Sequence, residues 1–345
     1  MTRKKILFIC GSINQTTQMH QIAAQLPEHE HFYSPYYGDL HVDFMRWLGG
    51  IEYTIGGRKL RARCAAYLHE HGLNIDDGGR LHDYDLVFHC SDLVWPSNIT
   101  HRKVILVQEG MTDPPSVLFP IVKRLDFLPR WMAGTSATGL SHKYTRFCVA
   151  SEGYKELFVS HGVDPAKIEV TGIPNFDDCK RYYDNDFPHK NYVLVCTSDV
   201  REVFWYEDRK GFIEKAKRIA AGRKLIFKLH PNEKLPRATD EIARWAPGSL
   251  VYTTGSAEQM VANCDVLVCQ YSSLAHIGMA LGKEVHSFFD IDELRKLKPL
   301  QHGMGAKNIA AVARRLLGEP EPVVAEPPPP PRPSTRSFVQ EQPRP

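Results

Sequence analysis

A two-domain α/β fold follows from three observations on the 345-residue chain. Short β-branched apolar runs alternate with segments of helical spacing. That alternation comes in two series, and a polar, proline-containing stretch over 182–190 separates them. Strands alternating with helices build parallel sheets from right-handed crossover units. Each series predicts one Rossmann-like domain, over 1–180 and 190–318, and the two are expected to face a cleft. From Glu319 the sequence turns to EPEPVVAEPPPPPRP and a polar end. Such a segment cannot bury a core, so 319–345 predicts a disordered or polyproline II tail.

In the first series, residues 5–10 read as a strand. Met19, Ile22, Ala23 and Leu26 recur at helical spacing and predict a helix over 16–26. Strands follow at 84–90, 103–108, 145–150 and 169–171, and a short helix at 154–161 is closed by Gly162. Between 33 and 81 the pattern is weaker, and helices are the better reading at 44–48 and 60–71. The second series reads strand 192–196, helix 211–221, strand 225–229, helix 239–246, strand 250–253, helix 257–263, strand 266–269 and helix 274–281.

Composition narrows the function classes. The net charge of +3 gives no argument for nucleic acid. The eight cysteines include no CxxC pair, and most lie in apolar runs where cysteine acts as a small hydrophobe. The basic-then-apolar start is too short for a signal peptide and continues as a first strand. No window reaches the length of a membrane span. A cytoplasmic protein is the expectation.

Open α/β sheets bind ligands at the carboxyl ends of their strands, so the strand ends carry the candidates. The run 225–229 ends in His230-Pro231-Asn232. The run 266–269 breaks into Gln270-Tyr271-Ser272-Ser273 ahead of a helix. Two serines at a helix start offer hydroxyls, backbone N–H groups and a positive dipole end to an anion. Together the two motifs predict a diphosphate site, with Gln270 and Tyr271 lining it. The plainer alternatives are a serine N-cap, worth about 1 kcal/mol without any ligand, and a histidine that only closes its strand end.

Glu109 follows the apolar strand Val104–Val107 and precedes Gly110. A carboxylate there suits a general base that takes a proton from an acceptor hydroxyl; an ordinary capping acid is the alternative. Asp113 is the reserve. Gly11-Ser12, with Asn14 and Thr16, forms the first strand-to-helix loop, and Thr197-Ser198-Asp199 is its counterpart in the second series. Neither has GxGxxG, so dinucleotide binding is not expected. The sixteen histidines include His69, His71, His82 and His89 but no metal-ligand spacing such as HExxH. They read as scattered surface residues, and no metal is expected.

A resemblance rests on four segments. Lys167 to Asp177 (KIEVTGIPNFD) resembles an interdomain segment of GT-B-type transferases, and Phe147 to Gly153 (FCVASEG) a strand end that precedes a helix there. Lys228-Leu229-His230-Pro231 is similar to the K-HP motif of capsule and teichoic-acid transferases. Tyr271-Ser272-Ser273 with Ala280-Leu281-Gly282-Lys283 resembles an element of the CDP-glycerol glycerophosphotransferases. The likeness covers roughly 145–285. Gln270 stands where those enzymes have Asp, and Gln108-Glu109-Gly110 where they have a His-Gly pair. The UDP-GlcNAc 2-epimerases are similar in fold, but the helix matching their acidic one reads Ser272-Ser273-Leu274-Ala275-His276-Ile277, without an acid.

The resemblance implies a metal-independent glycosyltransferase without a cofactor. It would move a sugar from a nucleotide-sugar donor to a glycan, lipid-linked or surface-polymer acceptor. Glu109 is the expected base, with Asp113 in reserve, and His230 stabilises the departing diphosphate. Gly11, Ser12, Ser198, His230, Pro231, Asn232, Gln270, Tyr271, Ser272 and Ser273 are the expected donor contacts. Glycerophosphate transfer, sugar-nucleotide epimerisation and a catalytically silent scaffold are the alternatives. Nucleic acid is not an expected partner. Peripheral contact with the inner face of a membrane, and a partner docked on the proline tail, accompany this reading.

Overall fold

A computed structural model describes residues 2–35, 57–125, 128–202, 206–319 and 340–341. The helix expected over 44–48 and most of the proline-rich tail lie outside the described residues. The chain divides into two compact units. One holds Met1–Asp178 and the segment that begins at Pro299; the other holds Cys179–Lys298.

The first unit is built on a six-stranded parallel sheet. Its strands are β1 Lys5–Ile9, β2 Glu30–Ser34, β3 Leu86–His89, β4 Val104–Val107, β5 Arg146–Val149 and β6 Ile168–Val170. Their order is β2-β1-β3-β4-β5-β6, so the strand order reverses between β1 and β3. The central strands are continuous apolar runs because helices cover both faces. Leu7 stands opposite Val87, and Phe8 packs face to face on Phe88 with ring centroids 4.9 Å apart. The strand β2 was not expected from sequence: EHFYS is half polar, and among the described strands it pairs with β1, with an isolated bridge to Ile75 on its other side. Helix α1, Ile13–Ala23, follows β1, and α2, Arg58–Glu70, starts two residues before the expected 60–71 helix and stops one residue before its end. The expected helix at 154–161 is α4, Glu152–His161, after the short α3, Phe119–Arg124. Gly162 ends α4 with φ 111°, a left-handed cap that favours glycine.

The second unit repeats the plan with β7 Val193–Cys196, β8 Leu225–Lys228, β9 Leu250–Tyr252, β10 Val266–Cys269 and β11 Glu284–His286. These run parallel in the order β11-β10-β7-β8-β9, with the reversal between β7 and β10. Gln340–Glu341 adds β12, antiparallel to β9, within the stretch expected to be structureless. Helices α5 Arg209–Ala220, α6 Leu235–Trp245, α7 Ala257–Asn263 and α8 Leu274–Ala280 fall where the sequence placed them, with α6 starting four residues early. The short α9, Ile291–Lys296, was not foreseen.

The last helix, α10 Gly305–Leu317, corrects the expected boundary at 318, because it belongs to the first unit. Gly305 donates its N–H to the buried Asp177 carboxylate, and a Cβ there would lie 3.0 Å from the Gly172 backbone. Asn308 reaches the Thr171 carbonyl at 3.0 Å, and Arg314 the Glu28 carboxylate at 2.6 Å. Glu319, expected to open the tail, pairs with buried His29 at 3.1 Å. The apolar face of α10 covers α1, and side-chain pairing of that kind is invisible to a count of strand–helix repeats. Among the described residues, no helix is long and apolar enough to cross a membrane.

Candidate functional site

Each sheet's carboxyl edge gathers polar side chains, and the two edges are built differently. In the first unit, Ser12 caps α1 and accepts the Gln15 N–H at 3.2 Å. Gln15 reaches back so that its oxygen takes the Gly11 N–H at 2.8 Å, in the manner of a capping box. The remaining donors of both side chains converge on Glu109, two residues past β4. Ser12 Oγ meets one carboxylate oxygen at 2.8 Å and Gln15 Nε2 the other at 2.6 Å. Glu109 is half-buried. Burial pushes its carboxyl above the ordinary range, and the Gln15 and Ser12 hydrogen bonds offset this only in part. Two oriented donors and, among the described residues, no basic partner leave a carboxylate able to accept a proton.

The neighbouring residues fix this loop. Gln108 is buried and accepts the Ala150 N–H at 2.9 Å while donating to the Gly110 carbonyl at 2.7 Å, tying the ends of β4 and β5. Asp113, the reserve acid, is exposed and exchanges hydrogen bonds with Thr135 at 2.6 and 2.7 Å. Asp92, which sequence did not single out, follows β3 and is 2 % exposed. Burial raises its carboxyl to about 6, against hydrogen bonds from Ser141 and the Gly139 N–H. Only its position three residues past a strand end could have flagged it.

In the second unit the edge is charged. Ser198, after β7, donates to Gln270, after β10, across the point where strand order reverses. Gln270 donates onward to Glu207 at 2.6 Å. Arg209 lies between Glu207, at 3.0 Å, and Glu233. The side chains of Glu207, Arg209 and Glu233 are only 2 %, 2 % and 1 % exposed, so each charge depends on the others. Glu233 also accepts from Thr197 and from the His230 N–H. Arg201 extends the network with a two-toothed pair to Glu241, both contacts at 2.8 Å. The acid of HPNE is legible in the sequence, but Glu207 and Arg209 carry no motif, and their roles appear only in three dimensions.

This network supports the strand end that carries His230. The His230 ring accepts the Asn232 N–H at its Nδ1, 3.3 Å away, which places the proton of the neutral ring on Nε2. Asp199 stands 3.5 Å from the same nitrogen and is held by Asn232 Nδ2 at 2.9 Å. The ring is about one-third exposed, whereas Pro231 is exposed and Asn232 half-buried. Lys228 is buried and donates to the Leu229 carbonyl at 3.0 Å, so it is an interior lysine rather than an edge charge.

Of the expected donor contacts, Ser198 and Gln270 are buried and bonded to each other. Tyr271 is exposed, and Ser272 and Ser273 are half-buried at the start of α8. Ser272 Oγ accepts the Leu274 N–H at 3.3 Å; Ser273 makes no side-chain cap. Beside them lies a cavity of about 460 Å³ lined by Tyr206, Glu207, Phe212, Lys215, Tyr271 and Phe288. The Phe288 ring meets Tyr271 and Phe212 edge-on, at 5.5 and 5.8 Å. An aromatic hollow of that size at a strand-order reversal suits a planar heterocycle.

The histidines depart from the surface reading. His89, His29, His161 and His276 are buried, and burial alone holds His89 down at about 3 and His276 at about 4, so both are neutral. Among the described residues, only Glu28, His29 and Glu319 bring metal-type ligand atoms within 4.8 Å of one another. Arg314 already neutralises Glu28 there.

No protein-family model matches the chain, and no curated protein does. Solved structures are similar in fold. The UDP-GlcNAc 2-epimerase of Neisseria meningitidis bound to UDP-GlcNAc superposes with a TM-score of 0.54 at 11 % identity, over 91 % of this chain and 99 % of that one. S. aureus MnaA with UDP gives 0.57 at 10 % identity, over 93 % and 100 %. The Methanocaldococcus jannaschii UDP-GlcNAc 2-epimerase with UDP-GlcNAc and UDP gives 0.50 at 12 %, over 90 % and 99 %. The expectation of a nearest likeness to glycerophosphotransferases is corrected here. The wall teichoic acid polymerase TagF superposes with a TM-score of 0.46 at 11 % identity, over 91 % of this chain and 81 % of that one. The chain has the GT-B-like fold of these proteins, two Rossmann-like units with parallel sheets.

Proposed function

We propose that the chain is a glycosyltransferase that uses a nucleotide-sugar donor. Glu109 is the base that takes the proton from an acceptor hydroxyl. The observation that carries this reading is its carboxylate: half-buried, aligned on both oxygens by Ser12 and Gln15, and raised above its ordinary value by burial. The donor belongs to the second unit. Its base fits the aromatic cavity beside Tyr271 and Phe288. Its diphosphate is assigned to His230, Asn232 and the Ser272-Ser273 turn, where ring and backbone N–H groups stabilise charge on the leaving group. This assignment needs neither a metal nor a cofactor. Fold likeness to proteins solved with UDP or UDP-GlcNAc favours a uridine diphosphate sugar as the first donor to try.

Epimerisation of the sugar nucleotide is the second reading, and Asp92 is the observation that favours it. Inverting a carbon centre requires a proton to leave one face and return to the other, which calls for two acid–base groups. Asp92 and Glu109 end adjacent strands, and burial raises both. Against this, Asp92 spends its oxygens on Ser141 and Gly139. Incubation with UDP-sugars, read for released UDP and for altered sugar configuration, separates the two. UDP released in step with glycosylated acceptor supports transfer. An epimerised sugar still bound to UDP, abolished in Asp92→Asn, overturns it.

A further inference from the structure

We propose that residues 117–125 and 130–132 form a surface that binds an anionic lipid bilayer. Six large apolar side chains are exposed within this short stretch: Val117, Leu118, Ile121, Leu125, Trp131 and Met132. Val117 is 90 % exposed and Trp131 54 %. The helix Phe119–Arg124 explains how they come to face outward. Phe119 and Val122 fill its buried side, so the helix is already anchored before Leu118, Ile121 and Leu125 are placed. A substantial part of the outer apolar area stays exposed after folding. The helix packs on the following 3-10 turn, Arg130–Ala137, and Arg130 donates to the Val122 carbonyl. That contact brings Trp131 and Met132 next to the helix. A concentration of exposed apolar groups of this kind marks an interaction surface.

Charge chooses the occupant. Lys123 and Arg124 are exposed on the helix itself, with Arg130 at the turn. The sequence over 114–132 sets these three bases against one acid, Asp126. Long aliphatic side chains, a tryptophan and basic residues on one short helix-turn match the headgroup boundary of a bilayer. Apolar groups enter the acyl region, the indole sits at the interface, and cations meet anionic headgroups. The surface lies in the segment between β4 and β5 that begins with Gln108-Glu109. Bilayer binding is independent of which reaction Glu109 performs.

The test is flotation of the full chain with phosphatidylcholine vesicles and with vesicles containing phosphatidylglycerol, at low and at high salt. Wild type is expected to float with the anionic vesicles and to be released by salt. Val117→Asp and Trp131→Glu should each weaken binding about tenfold, and Arg124→Glu should weaken it while removing much of the salt dependence. Val117 lies outside any helix and is almost fully exposed, so Val117→Asp keeps the test valid if another variant misfolds; unchanged melting temperature confirms folding. Absence of vesicle binding by wild type overturns the proposal, as does undiminished binding by folded Val117→Asp. A wild-type dimer that sedimentation shows dissociating in Trp131→Glu also overturns it, because the surface would then belong to a second copy.

Discussion

Glu109 lies two residues past β4 of the first sheet, and Glu233 five residues past β8 of the second. Both carboxylates accept several hydrogen bonds at a strand's carboxyl end. Glu109 meets a hydroxyl and an amide, neither of them charged. Glu233 meets the Arg209 guanidinium, which Glu207 shares. Neutral donors orient a carboxylate without cancelling its charge, so burial still favours its protonated form. A buried cation cancels the charge and converts the acid into a brace. The same residue type therefore offers proton chemistry on one edge and support on the other.

The largest expected effect comes from breaking the brace. Arg209→Met leaves Glu233 buried without the Arg209 cation, and Glu207 with Arg201 alone. Denaturant unfolding should show a loss of about 3–5 kcal/mol, the range for removing one partner of a buried ion pair. A loss below about 1 kcal/mol would mean the network is solvated and not structural. Next is Glu109→Gln, which keeps the shape but cannot take a proton. Turnover should fall by about 10²–10⁴, with the donor dissociation constant nearly unchanged. Wild-type turnover would remove Glu109 from the reaction and make Asp113→Asn the next variant.

The raised carboxyl of Glu109 also fixes a pH dependence. A base must be ionised, so activity should fall as pH drops through its elevated pKa. Ser12→Ala deletes a hydrogen bond that lowers this pKa, so the acid limb of the rate profile should move to higher pH. Stability runs the other way. An acid raised on folding contributes most below its unfolded pKa, and that contribution is lost as pH rises through the folded value. Glu109→Gln should therefore melt no lower than wild type at neutral pH and compare less well in acid. A clear drop in melting temperature at neutral pH would assign Glu109 to structure.

Smaller effects belong to the proposed diphosphate site. His230→Ala should weaken UDP binding by about 1–3 kcal/mol in calorimetry, the range for a charge-assisted hydrogen bond. Ser272→Ala should cost about 0.5–1 kcal/mol, because backbone donors stay in place. Full-strength binding in a His230→Ala/Ser273→Ala double variant would move the diphosphate elsewhere.

Sequence by itself determined the two parallel sheets, since buried strands such as VILV and VLVC must be continuous apolar runs and register as such. It also placed Glu109, His230 and Ser272-Ser273 at strand ends, because strand–loop–helix order is a local property. It missed β2, whose polar half gives an edge strand no apolar signature. Tertiary structure alone decided three things. It returned α10 to the first unit through Gly305, Asn308 and Arg314. It joined Glu207, Arg209 and Glu233 into one network, and it aimed Ser12 and Gln15 at Glu109 across more than ninety residues of chain. The reason is common to all three. Secondary structure follows from periodicity within a few residues, whereas the neighbours that set a carboxylate's charge are chosen by which strand ends the sheet brings together.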